Sequence, residues 1–321
     1  MIRKRDGIHL ELDGRTVVAD ARSASGDVTL VTHAHGDHAR RNGGDPVVCS
    51  ALTAALVNAR TGVDLNFRTH APGITLLPAG HVAGSRAALI EGDRTYCYTG
   101  DVSTRDRAYL SGFTPPDADV LIVESTYGRP AYRFPDQATV ERAIRDWVAD
   151  HHTDPLCLTG YSLGRAQKVQ RLVSASTNRR LVVHPAVAAV NAVIEDHFDV
   201  AFDAVSIEDV DPGPDDIVVT PSAGRRSGPV AAFLDRFDPV VAGFSGWAID
   251  DSYRYRTGCD AAFVLTDHCD FDELIALVDA VDPDEVYTHH GFAEDFAAHL
   301  GTRGYDAVAL KRNQHTLGEF G

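Results

Sequence analysis

The segment Leu30–Asn42, LVTHAHGDHARRN, places His33, His35, Asp37 and His38 within six positions. It continues directly from VTLVT, a short apolar run that reads as a strand, so the cluster begins on the loop at that strand's carboxyl end, a usual place for chemistry. Imidazoles and a carboxylate this dense are poor core material. Neutral ring nitrogens and carboxylates are, in contrast, borderline ligands suited to zinc. His33 and His35, two apart in extended chain, can face one metal, while Asp37 and His38, beyond Gly36, can turn toward a second.

Four residues are too few for two metal sites, so further ligands are expected on loops at the same sheet edge. The chain offers His81 in PAGHVAGS, Asp101 in YTGDVST and His290 in THHGF, each directly after an apolar strand-like run. That makes seven candidate ligands for two ions, with Asp101 the natural bridge. In VYTHH, strand alternation would point His289 and His290 to opposite faces, leaving His289 a bystander.

Outward from these motifs, GIHLELDGRTVVADA reads as a hairpin around Asp13-Gly14. Strands and helices then alternate, strictly so from about residue 135, which predicts a parallel α/β unit. The tail adds a strand at AAFVLT, helices at FDELIALVDAV and FAEDFAAHLGTRG, and strands at EVYTHH and AVAL.

The 321 residues carry a net charge of −16, with three lysines, Lys4, Lys168 and Lys311, among thirty basic residues. An acidic, lysine-poor surface suits molar salt, where the Debye length falls to about 3 Å and self-repulsion is screened; this points to a halophilic archaeon. Five scattered cysteines, none in a Cys-x-x-Cys spacing, read as small buried hydrophobes in a reducing cytoplasm. No apolar run is long enough to span a membrane, and MIRKRDGIHLELDG has no signal-peptide centre.

The ordered pattern His-x-His-x-Asp-His, then His81, Asp101 and His290 on later loops, resembles the metallo-β-lactamase superfamily. The resemblance implies an α/β fold, a four-layer αβ/βα sandwich. It puts His33, His35 and His81 on one zinc and Asp37, His38 and His290 on the other, with Asp101 bridging and Mn2+ as the alternative metal. Asp20 in VVADA matches an early aspartate that orients a ligand histidine. Three further pieces, VESTYG with Glu124, LTDHCDFDEL with His268, and HHG with His290, are similar to the β-CASP nuclease subfamily. That similarity implies a core over 1–130 and 251–321, interrupted by a small parallel α/β cap over 131–250. TGYSLGRAQKVQRL, VVHPAVAAVNAV and VVTPSAG are similar to the compact branch of DNA ligase-associated exonucleases, whose relatives include archaeal mRNA 3′-end processing factors.

The implied chemistry is phosphodiester hydrolysis by a dimetal-activated hydroxide. Asp37 belongs to the catalytic centre, and His268, held by Glu124, is the general acid for the departing ribose oxygen. Ser162 as a helix cap, Arg165 and Arg225 are candidate phosphate contacts, with Arg40, Arg41 and Arg226 nearby in sequence to the motifs. Tyr127 or Trp247 could stack on bases. The leading expectation is a cytoplasmic exonuclease acting on single-stranded DNA ends, with ligase or helicase repair partners and no membrane. The alternatives are the same catalyst on RNA ends, a small-ester or thiolester hydrolase, and a metal-free scaffold.

Overall fold

Along Gly7–Leu12, the apolar Ile8, Leu10 and Leu12 are buried while Glu11 is exposed, the alternation of a strand with one face on a core. It pairs antiparallel with Arg15–Ala19, forming the expected hairpin. The computed structural model describes residues 1–12, 14–39 and 44–311, so Asp13 of that turn lies outside the described residues, as do Arg40 and Arg41.

Two compact units make up the chain. The first comprises residues 1–106, 110–131 and 268 onward. It contains two six-stranded sheets. In the first, Ile2–Arg5, Gly7–Leu12, Arg15–Ala19, Val28–Leu30, Val47–Val48 and Phe67–Arg68 lie side by side in that order. The second runs Asp306–Ala309, Glu285–His289, Val120–Glu124, Thr95–Tyr98, Arg86–Glu91 and Ile74–Pro78.

Between the sheets, Leu10, Val17 and Leu30 meet Ile90, Tyr98 and Ile122. On the far side of the second sheet, Leu121 and Val123 pack with Leu274 and Val278 of helix Phe271–Val281 and Phe296 of helix Ala293–Thr302. Each such aliphatic side chain contributes about 1.5–3 kcal/mol when fully buried. Helix Ala51–Thr61 lies beside the Phe67–Arg68 edge of the first sheet. Ser50 caps its first turn and Gly62 its last. The layers therefore run helix, sheet, sheet, helix.

Parallel pairing is what gathers the chemistry. Thr95–Tyr98, Val120–Glu124 and Glu285–His289 run parallel and in register, Glu124 standing opposite His289. Loops leaving parallel strands emerge on one edge, so Asp101, Glu124 and His290 share it.

The second unit, 107–109 and 132–267, is built on a six-stranded sheet whose strands are all parallel. Its core includes Ile144, Leu158, Val169, Val219 and Phe244. Strand Ala261–Phe263, expected to belong with the closing part of the core, instead pairs with Val240–Phe244 here, so this unit extends to Asp267. Among the described residues no helix is long and apolar enough to cross a membrane. All five cysteines are buried and unbridged.

Candidate metal centre and acid–base pair

Seven side chains separated by up to 257 positions in the chain converge in the first unit. The Nε2 atoms of His33 and His81 lie 3.2 and 3.1 Å from Nδ1 of His35. Asp101 Oδ2 is 3.4 Å from His33 Nε2 and 3.6 Å from His81 Nε2. Four donors around one zinc at about 2.0–2.1 Å would stand roughly 3.3 Å apart at the corners of a tetrahedron, which is the spacing seen. The other carboxylate oxygen, Asp101 Oδ1, faces the opposite way and lies 3.7 Å from His38 Nε2, itself 3.7 Å from Asp37 Oδ2. Asp37, His38 and His290 offer ligand atoms that all lie within 4.8 Å of one another. Asp101 thus presents one oxygen to each group.

The electrostatics fit a cation. His33 is buried, and burial together with the imidazoles of His38 and His81 holds it well below its ordinary pKa, as a neutral donor. Burial also opposes charge on His38, yet Asp101, Asp20 and Asp37 lift it to about 10. These carboxylates are negative charge that divalent ions would neutralise. His38 Nδ1 lies 3.0 Å from Asp20 Oδ2, within ion-pair range but off the line of a hydrogen bond. Asp20 in turn accepts from Thr32 N–H at 2.8 Å, Thr32 Oγ1 at 2.7 Å and the Tyr98 hydroxyl at 2.8 Å. Nothing in the spacing of Tyr98 or Thr32 announced that part.

Local backbone explains the HG pair. His290 sits at φ +58° and Gly291 at +50°. A Cβ on Gly291 would stand 2.3 Å from Thr126 Cα, so only glycine fits where this loop crosses the end of the Glu124 strand.

Beside the cluster, His268 Nδ1 lies 2.7 Å from Glu124 Oε1. Glu124 is buried and also accepts from the N–H groups of Val102 at 3.2 Å and Thr126 at 2.9 Å. Burial disfavours its charge, but His268 and the Thr126 hydrogen bonds outweigh it and pull the carboxyl down to about 2. Glu124 is therefore an ionised, fixed acceptor. Its bond occupies Nδ1 and turns Nε2 away, on a ring packed 4.5 Å, centroid to centroid, from His81.

Three of the expected substrate contacts are engaged differently. Ser162 does not cap its helix, because Gly164 occupies that position and takes the Gln167 side chain on its N–H. Arg165 is buried, with Nε 3.0 Å from Asp267 Oδ2, so its charge is neutralised inside the second unit. Arg225 donates to the carbonyls of Thr257 and Gly258. Tyr127 is 1 % exposed and packs edge-on to His268, leaving no face for a base. Trp247, partly exposed, lies edge-on to Tyr132.

No protein-family model matches the chain. It is 37 % identical over 307 residues to a probable DNA ligase of Opitutus terrae, covering 90 % of this chain and 29 % of that protein. It is also 42 % identical over 81 residues to a probable RNase, MJ4, of Methanocaldococcus jannaschii, covering 23 % and 18 %. The chain thus spans less than a third of the length of either relative. A protein of unknown function from Enterococcus faecalis V583 has a crystal structure that matches with a TM-score of 0.55 at 15 % identity, over 84 % of this chain and 76 % of that one, which speaks for the fold alone. Ligand order, layered fold and relatives agree: the chain belongs to the metallo-β-lactamase superfamily, in its β-CASP branch.

Proposed function

We propose that the chain is a dimetal phosphodiesterase that hydrolyses single-stranded nucleic acid, with DNA ends as the leading substrate. The observation that carries this is the 2.7 Å Glu124–His268 pair standing beside the seven-donor cluster. Thiolester hydrolysis releases a thiolate that needs no proton donor, whereas cleaving a phosphodiester expels a ribose oxygen that does. In this reading His33, His35 and His81 hold one ion, Asp37, His38 and His290 the other, and Asp101 both. The donor set of five imidazoles and two carboxylates suits Zn2+, with Mn2+ the alternative. Two such ions, when bound, supply a nucleophilic water at neutral pH and neutralise the phosphate oxygens.

The protein's own residues do the rest. His268 delivers its proton to the oxygen leaving phosphorus as the P–O bond breaks, and ionised Glu124 keeps the ring oriented and favours its charged form before transfer. Asp20 holds His38 in place. The second unit would be the β-CASP insert, and the acidic composition a cytoplasmic adaptation to high salt.

The 307-residue match to a probable DNA ligase supports DNA as the substrate; ligase or helicase repair partners belong to the same proposal. The match to a probable RNase supports the same catalyst on RNA as the second reading. End-labelled single-stranded DNA and RNA of one sequence, incubated in molar KCl with Zn2+ or Mn2+ and resolved by length, decide between them. A ladder from one end on DNA is expected. Metal-loaded protein that leaves both strands intact while hydrolysing thiolesters would overturn the proposal.

A further inference from the structure

We propose that the amino-terminal hairpin builds a phosphate-binding subsite beside the His38–His290 side of the centre, for a phosphate next to the scissile one; this rests on the nuclease reading. A cavity of about 290 Å³ there is lined by Lys4, Arg5, Arg22, His38, His289 and His290, together with three carboxylates.

Its charge runs against the rest of the molecule. In a chain of net charge −16, three cationic residues, Lys4 and Arg5 from the run IRKR together with Arg22, line this one cavity. Among the described residues neither Arg5 nor Arg22 forms an ion pair. The carboxylates on the wall are committed elsewhere. Asp6 accepts from the N–H groups of Arg22, Ser23 and Ala24 and from the Ser23 hydroxyl. Asp20 accepts from Thr32 and Tyr98. Asp37 turns to His38.

A second observation points to a ligand. His289 is buried, and neither of its ring nitrogens has a hydrogen-bond partner among the described residues. An imidazole carries at least one N–H donor, and buried donors are rarely left without an acceptor. The opposite facing expected of His289 and His290 fails because His290 leaves the extended backbone at φ +58°, so both rings line one cavity, 5.4 Å apart. Its other neighbour is Tyr98, stacked at 5.5 Å.

The cavity is also built. Gly7, at φ +86°, has its α-carbon so close to the next strand that a Cβ would lie 2.4 Å from the Ala19 carbonyl. That approach brings the Lys4–Arg5 strand end against Ala19 and Asp20, while Asp6 pins the backbone that carries Arg22. A small cavity whose lining includes Lys4, Arg5, Arg22 and a buried imidazole suits a tetrahedral oxyanion. On a nucleic acid that is either a flanking phosphodiester or a terminal phosphate.

The test uses Lys4→Ala, Arg22→Ala and His289→Phe in the metal-loaded full chain, with Lys311→Ala as the off-site control. Binding of a fluorescein-labelled phosphorothioate single strand is followed across a KCl series. Each cationic variant should weaken binding about tenfold at low salt and flatten the slope of log K against log[KCl] by about 0.7, the value for one lost phosphate contact on a single strand. His289→Phe, which keeps a ring against Tyr98, should raise KM several-fold more than it lowers kcat. Losses in kcat/KM on oligonucleotides should exceed those on bis(p-nitrophenyl) phosphate, a diester with no flanking phosphate, at least fivefold. A loss confined to 5′-phosphorylated strands assigns the terminal group; a loss on 5′-hydroxyl strands as well assigns the flanking diester. Unchanged slopes in a wild type that cuts nucleic acid, or equal losses on both substrates, overturn the subsite alone. A wild type that neither binds nor cuts strands sinks the nuclease reading with it.

Discussion

Replacing the proposed proton donor tests the chemistry most directly. Glu124 is held at about 2 rather than 4.5, a displacement that corresponds to roughly 3 kcal/mol at about 1.36 kcal/mol per unit. Part of it comes from the Thr126 hydrogen bonds, which Glu124→Gln can retain. Losing the carboxylate charge that orients His268 should slow turnover, by less than removal of the proton donor itself. His268→Ala removes the donor itself and should cost roughly 10²–10⁴-fold in kcat. Both losses should appear on oligonucleotides, whose alkoxide leaving group needs a proton, and largely vanish on bis(p-nitrophenyl) phosphate, whose leaving group does not. The assay pairs steady-state kinetics on the two substrates with elemental analysis of each variant. Equal losses on both substrates would refute the acid role. A His268→Ala protein that has shed its metal would make His268 a ligand instead, consistent with its grouping with Asp101 and Glu124.

Three further outcomes are expected. Asp101→Asn withdraws charge from both donor groups, so elemental analysis should find the two ions per chain reduced to one or none, while His81→Ala should lose one. Glu124 has a folded pKa below its unfolded one, so the stability it adds is present above about 4.5 and is lost as pH falls through about 2; acid unfolding followed by circular dichroism should show a correspondingly smaller acid-side loss in Glu124→Gln. Gly291→Ala forces a Cβ to 2.3 Å from Thr126 Cα at a positive φ, so thermal melting should fall by more than the about 1 kcal/mol of an ordinary glycine replacement, or the protein should fail to fold.

Much of the centre could be read from residue order because each candidate ligand follows an apolar run, and loops after parallel strands share an edge. The hairpin, the alternating second unit and the Glu124–His268 pairing followed from the same pattern or from the resemblance it carried. Side-chain commitments were harder to read. Arg165 looked like a phosphate contact at a helix start, yet its partner Asp267 lies 102 positions away. Tyr127 looked like a stacking platform but is sealed beside His268. Alternation set His289 and His290 on opposite faces, but it assumes extended backbone, which His290 abandons, and both rings line one cavity.

By itself, then, the sequence determined which residue types could bind metal and on which strand ends they sit, since periodicity and ligand chemistry are local properties. Only the tertiary structure decided which oxygen of Asp101 faces which histidines, that Thr32 and Tyr98 steady Asp20, and that Lys4, Arg5 and Arg22 line the same cavity as His289. Those facts depend on contacts between segments far apart in the chain, whose partners are chosen by packing and by the demand of buried polar groups for hydrogen bonds, and no local pattern encodes them.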